Sequence, residues 1–203
     1  REPYDHMPET RGDTLYTPEQ MAEMGRLAGK YHWQIGLHCC GDRAADVAMD
    51  TFEAAYGSTG NRDARHYIIH MATTNPDQLE RLRALDVPIT VQPTINLQMG
   101  EQPLIGERLC KQYQLCGTPY RRGIIIGGST DCPVVTCNPF EGMYAAVTRL
   151  AADGKVYLPE EAVTARQALI MWTKNSAYFR HDEDKMGSIE VGNLADYVLI
   201  DTP

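Results

Sequence analysis

The chain has no Cys-x-x-Cys pair, no cluster of basic residues, no internal repeat and no apolar stretch longer than a few residues. Each absence removes a class of protein. Six cysteines, at 39, 40, 110, 116, 132 and 137, are too few in 203 residues for a disulfide scaffold. Without paired spacing they form no zinc or redox motif, and they read as reduced thiols of a cytoplasmic protein. Nineteen Lys and Arg stand against 27 Asp and Glu, a formal charge of -8, with no basic stripe for phosphates, so nucleic acid is excluded as a partner. The apolar runs fall far short of the roughly 20 residues of a membrane-spanning helix, and no signal-peptide grammar opens the chain. The first residues, "REPYDHMPETRGDTLYT", lack an initiator Met and read as the middle of a loop, so they carry no targeting information. With no low-complexity tract or linker, 203 residues at 43% hydrophobic composition suit one sizeable core.

What the chain does contain is an alternation. Four brief apolar runs predict strands: "WQIGLHC" (33–39), "HYIIH" (66–70), "VPITVQP" (87–93) and "GIIIGGSTD" (123–131). Around them lie residues at helical spacing: Met21, Met24, Ala28 and Tyr31; Val47, Ala48, Phe52 and Ala55; Leu79, Leu82 and Leu85; Met143, Val147 and Leu150; Leu169, Trp172 and Ala177. Start signals support three of these helices: Thr17 with Pro18 and Gln20, Asn75 before Pro76, and Thr164 with Gln167. Strands alternating with helices predict an α/β fold with a parallel sheet, either open or closed into a barrel.

Strand alternation then sorts the polar residues. Gln34, Gly36 and His38 share one face, and Ile35, Leu37 and Cys39 the other, which makes Cys39 a packing residue. His38 falls at the carboxyl end of its strand, where α/β proteins place their chemistry. Cys40 returns to the His38 face but already lies in the turn, and reads as a loop thiol. In the second strand His66, Ile68 and His70 share a face. Only His70 stands at the carboxyl end, with His66 about 13 Å deeper at strand rise. The fourth strand gives way to a loop at Asp131. Two imidazoles and a carboxylate at three strand ends form a borderline-soft donor set suited to Zn²⁺ or a similar divalent ion, with a position left open for water.

These segments carry a resemblance. "GLHCCGDRAADVAMDTFE" resembles the fifth-strand motif His-x-x-Gly-Asp-Arg-Ala of the metal-dependent amidohydrolase superfamily, in particular the third amidohydrolase family, relatives of N-substituted formamide deformylase. "RHYIIH" is similar to the sixth-strand Arg-His-x-Ile-Glu-His, "VQPT" to the seventh-strand end, and "GGSTDCPV" to the eighth-strand Gly-Ser-Asp-x-Pro. "MGSIEVGNLADYVLID" resembles the superfamily tail that joins a small β-domain, and "PYDHMPETRG" the loop after the fourth strand. The resemblance implies hydrolysis of a C–N bond in a small amide, formamide or cyclic amide by water activated on a divalent metal, zinc by preference, as one or two ions. It implies His38, His70 and Asp131 as ligands, with Asp131 also catalytic as the proton shuttle. Gln92 is the candidate substrate-binding residue, with a structural amide as the alternative. Asp42 and Arg43 read as shaping the first turn of the following helix, Asp42 as a cap and Arg43 as an ion-pair partner.

The departures from the pattern carry their own expectations. Ile69 stands where the sixth-strand motif has Glu; alternation points it away from His70, as a packing change. Thr130 is an addition between Ser129 and Asp131. No His-x-His occurs, and nothing corresponds to the fourth-strand bridging residue. A complete barrel takes about 250 residues. The expected architecture is therefore α/β, the second half of a (β/α)8 TIM barrel, strands five to eight, over residues 1–186. Residues 187–203 then form a strand segment of an accessory β-domain. Such a half leaves two sheet edges unpaired, so the expected partner is a missing amino-terminal half or a second copy of the chain. Two other readings compete: a non-catalytic interaction half without a complete metal site, and a sugar-phosphate enzyme using "GGST" to hold phosphate. The segment after the third predicted strand is long enough for a lid, in which Met99, Leu104 and Tyr113 either line an apolar pocket or pack on one another.

Overall fold

The computed structural model of the chain describes residues 1–95 and 106–201. Four strands, β1 (Gly36–Cys39), β2 (Tyr67–His70), β3 (Ile89–Val91) and β4 (Ile126–Gly128), pair in parallel in the order of the chain. The helices are α1 (Pro18–Lys30), α2 (Asp42–Thr59), α3 (Pro76–Ala84), α4 (Gly106–Cys110), α5 (Gly117–Arg121), α6 (Pro139–Thr148), α7 (Ala165–Trp172) and α8 (Lys174–Phe179). None is long and apolar enough to cross a membrane among the described residues.

The helix starts follow from local chemistry. Thr17 and Gln20 exchange side-chain and backbone hydrogen bonds before α1, and Thr164 and Gln167 do the same before α7. At α3, Gln78 Oε1 accepts from the Asn75 backbone N–H at 3.0 Å. Each such cap satisfies backbone donors that the first helical turn leaves open, and contributes about 1 kcal/mol. The helical pattern from Leu169 to Ala177 is divided between α7 and α8, because Thr173 takes φ -118° and ψ -88°.

All four strands are shorter than their apolar runs. Before β1, Ile35 N–H donates to the Nδ1 atom of His66 at 3.1 Å, so a side chain takes the place of a ladder partner. After β4, Ser129 N–H still reaches Val91 O at 3.0 Å, but Asp131 adopts φ +59° and the strand cannot continue.

One face of the sheet meets the helices. Ile68, Ile89, Val91 and Ile126 pack there with Met49 and Phe52 of α2, Leu82 of α3 and Met171 of α7 in a continuous core. Full burial of such side chains stabilises the fold by about 1.5–3 kcal/mol apiece. On the other face Gly36, His38, Tyr67, Ile69 and Thr90 are half-buried or exposed. Phe179 of α8 covers part of that face, edge-on to Tyr67 with ring centroids 5.2 Å apart.

This arrangement corrects two expectations. His66 and Ile68 face the helical layer: Ile68 is in the core, and the His66 ring stacks against Phe52 and Tyr56 at 5.5 and 4.9 Å. Ile69 is the cross-strand partner of His38, so it belongs to the site face rather than away from it.

Among the described residues β1 and β4 each have one sheet neighbour. Residues 187–201 contain no strand, and Ile189, Val191, Tyr197, Val198 and Leu199 are exposed along them.

Candidate metal centre

By register His70 lies opposite Cys39, which points into the helical core. Regular alternation would send His70 the same way. Instead His70 takes φ +74°, and Met71 after it φ +46°. Rotation about the His70 N–Cα bond carries its ring to the side of His38, where the two rings meet edge to face with centroids 4.5 Å apart. Asp131, at φ +59°, brings Oδ2 to 3.9 Å from His70 Nε2. Left-handed backbone at a residue with a side chain costs of order 1–3 kcal/mol and gathers where function requires a fixed geometry.

The orientation of His70 is fixed from behind. Its Nδ1 donates to Gln92 Oε1 at 2.7 Å, and Gln92 Nε2 donates to Ser129 Oγ at 2.9 Å. An amide oxygen only accepts, so Nδ1 carries a proton, and Nε2 is the ring atom left facing Asp131. Gln92 is 1% exposed and both ends of its amide are engaged, which supports its reading as a structural amide.

His38 is exposed, and its Nε2 lies 3.2 Å from the Sγ of Cys40. Cys40 therefore sits at the site instead of in a detached loop. Spacing alone could have placed it there, since it returns to the His38 face; the turn geometry that decides the matter is not readable from one sequence. Burial and the nearby Asp131 carboxylate push its thiol pKa up. Burial pushes Cys39 up to about 12.

Other expected residues fall outside the site. Burial depresses the pKa of His66 to about 4, as befits a neutral core imidazole accepting from Ile35. Asp42 does not cap α2, because Gly41 occupies that position. The Asp42 carboxylate instead accepts from Asn75 Nδ2 at 3.1 Å. The glycines of "GGST" are explained by packing: a Cβ on Gly127 would stand 2.8 Å from the Phe179 ring, and one on Gly128 2.1 Å from the Trp172 ring. Ser129 of the same segment serves Gln92, so this segment provides no particular support for a phosphate site. Met99 and Leu104 lie outside the described residues, while Tyr113 is half-buried in an antiparallel bridge with Thr73.

Two imidazoles and a carboxylate, one imidazole oriented by an outer amide, are donors suited in kind to a divalent metal. Among the described residues no group of three or more His, Cys, Asp or Glu is already arranged to hold one.

A parallel α/β sheet with such donors at its carboxyl-end loops is the framework of a metal-dependent hydrolase. The chain belongs to the amidohydrolase family, whose profile matches residues 1–203. It is 28% identical over 205 residues to the protein LONG AFTER FAR-RED 3 of Arabidopsis thaliana, covering 99% of this chain and 35% of that protein. It is 29% identical over 196 residues to the N-substituted formamide deformylase of Arthrobacter pascens, covering 94% of this chain and 35% of the enzyme. A solved structure of an uncharacterized metal-dependent hydrolase from Pyrococcus furiosus superposes with a TM-score of 0.82 at 30% identity, covering 100% of this chain and 40% of that one. The chain spans about a third of the length of these two curated relatives.

Proposed function

We propose that this chain supplies strands five to eight of a (β/α)8 barrel in a longer amidohydrolase that hydrolyses a C–N bond of a small amide, formamide or cyclic amide. The observation that carries the reading is the approach of His38, His70 and Asp131 from three strand ends, with Gln92 fixing His70. Residues 187–203 are assigned to the accessory β-domain, and their exposed apolar side chains support that placement. The missing amino-terminal half, or a second copy, would pair with β1 and β4 and supply the remaining ligands.

His38, His70 and Asp131 are the residues that would hold the metal, zinc by preference, as one or two ions. A bound divalent ion lowers the pKa of water and polarises a carbonyl. The chain's own contribution is position and proton transfer. Gln92 keeps the Nε2 atom of His70 directed at the site. The Asp131 carboxylate, with 41% of its side chain exposed, is open to solvent and substrate. It takes a proton from the attacking water and returns it to the leaving nitrogen, acting as base and then acid.

The test uses the full-length polypeptide that contains these residues. Metal content is measured per chain, and amine release is followed from N-substituted formamides, linear amides and cyclic amides. Expected are one or two equivalents of divalent metal, activity lost on chelation and restored by metal. A full-length protein with neither metal nor hydrolysis would establish the non-catalytic interaction half. The lack of a ready three-donor group among the described residues is the observation on that side.

A further inference from the structure

The chain between β3 and β4 returns to the site at Gln114. Residues 112–114 run antiparallel to residues 72–74, the turn that follows His70. Thr74 N–H donates to Gln112 O at 3.1 Å, Gln114 N–H donates to Ala72 O at 2.8 Å, and Thr73 bridges Tyr113 between them. Gln114 is 1% exposed and takes φ +49°. Its carbonyl accepts from Nη1 of Arg149 at 3.1 Å, and Arg149, also buried, donates from Nε to Tyr157 O at 3.1 Å. With its backbone fixed from both sides, Gln114 reaches β3 through its side chain, whose Oε1 accepts from the Gln92 N–H at 3.3 Å.

That bond stands where the ladder breaks. Pro88 O accepts from Ile68 N–H, whereas Ile89 N–H donates to Ile125 O. Even-numbered residues from 88 to 92 therefore turn their backbone groups to β2, and odd-numbered ones to β4. A regular parallel ladder would offer the His70 carbonyl to the Gln92 N–H. His70 leaves that path at φ +74°, and Gln114 supplies the missing acceptor. Without Gln114 a buried N–H is left unpaired, and regular pairing with β2 becomes the way to satisfy it. Regular pairing turns the His70 ring to the side of Cys39, away from His38. We infer that Gln114 is a positioning residue of the site. By accepting from the Gln92 backbone it holds His70 in its left-handed conformation and preserves the bond from His70 Nδ1 to Gln92 Oε1. Its consequence for metal retention rests on the hydrolase reading; its geometry does not.

The test uses the full-length protein, metal-free and labelled with nitrogen-15 in histidine, and follows the hydrogen-bonded Nδ1–H signal of His70 by NMR, assigned by its loss in His70→Asn. Two variants remove the acceptor. Gln114→Asn stops one methylene short and tolerates left-handed backbone, and Gln114→Met keeps the length without the oxygen. Expected is a signal present in the native protein, lost or weakened in both variants and kept in Gln114→Glu. Metal retention, read by competition with a chromogenic chelator, is expected to fall about tenfold in Gln114→Asn. It should fall little further when that change is added to Gln92→Leu, because both act through the same imidazole. A His70 signal unchanged in the folded variants, or absent from the native protein, overturns the role of Gln114, as do fully additive losses in the double variant. Loss of folding in both variants makes Gln114 a stability residue and overturns it as well. A native protein that shows the expected signals but retains no divalent metal supports the positioning and removes the hydrolase reading.

Discussion

Gln92 Oε1 accepts a hydrogen bond from His70 Nδ1 at 2.7 Å while the amide nitrogen of the same side chain holds Ser129. One buried amide thereby links the ends of β2, β3 and β4 and selects the tautomer of a candidate ligand. Outer partners of metal-binding imidazoles commonly govern affinity by ten- to a hundredfold.

Replacing Gln92 by Leu is expected to weaken metal retention by about one to two orders of magnitude. Gln92→Glu keeps an acceptor for Nδ1 and is expected to recover most of the loss. Competition with a chromogenic chelator reads both. Equal retention in all three proteins would mean that His70 needs no such support.

Asp131→Asn preserves shape and removes the proposed base. Hydrolysis should fall by about two to four orders of magnitude, with the folded state retained by circular dichroism. An activity within a few-fold of the parent protein would transfer the proton shuttle elsewhere.

His66 gives the fold a pH dependence. Its folded pKa of about 4 lies below the ordinary value of 6.5, so it stays neutral in the folded protein while the unfolded chain binds a proton as pH falls. Stability from this residue is fully present above about pH 6.5 and is lost between about 6.5 and 4, by an amount on the order of 3 kcal/mol. Urea unfolding at a series of pH values should show that decline. His66→Phe should flatten it, although the Ile35 N–H then loses its acceptor and stability falls at every pH.

A methyl group at position 128 would overlap the Trp172 ring. Gly128→Ala is expected to destabilise the protein by about 1–3 kcal/mol. Combining it with Trp172→Leu should cost less than the sum of the two single changes, a non-additivity measurable in a double-mutant cycle.

Local signals in the sequence anticipate the features that local physics controls. The Thr17 and Thr164 caps, the four strands and the packing role of Cys39 all depend on neighbouring residues and on strand period, and the structure contains them. The sheet-face assignment of His66 fails because this short run carries apolar side chains on both faces, Ile68 on one and Tyr67 and Ile69 on the other, and so has no polar face to set its phase. His70 reaches the site for a reason that alternation cannot express, a positive φ. The proximity of Cys40 depends on the bonds from Ala72 and Thr73, whose partners lie 33 residues away in sequence. The helices α4 and α5 are five residues each, too short for a periodic signal.

The strands follow one another across the sheet without a skipped place. His38, His70, Gln92 and Asp131 consequently belong to four successive strand-and-loop segments, one contribution from each. A lengthened or exchanged loop alters one contributor and leaves its neighbours in register, because the ladder beneath is built from backbone and branched aliphatic side chains. The rim can therefore diversify piece by piece over an unchanged floor, and the chemistry of one position can be retuned without refolding the others.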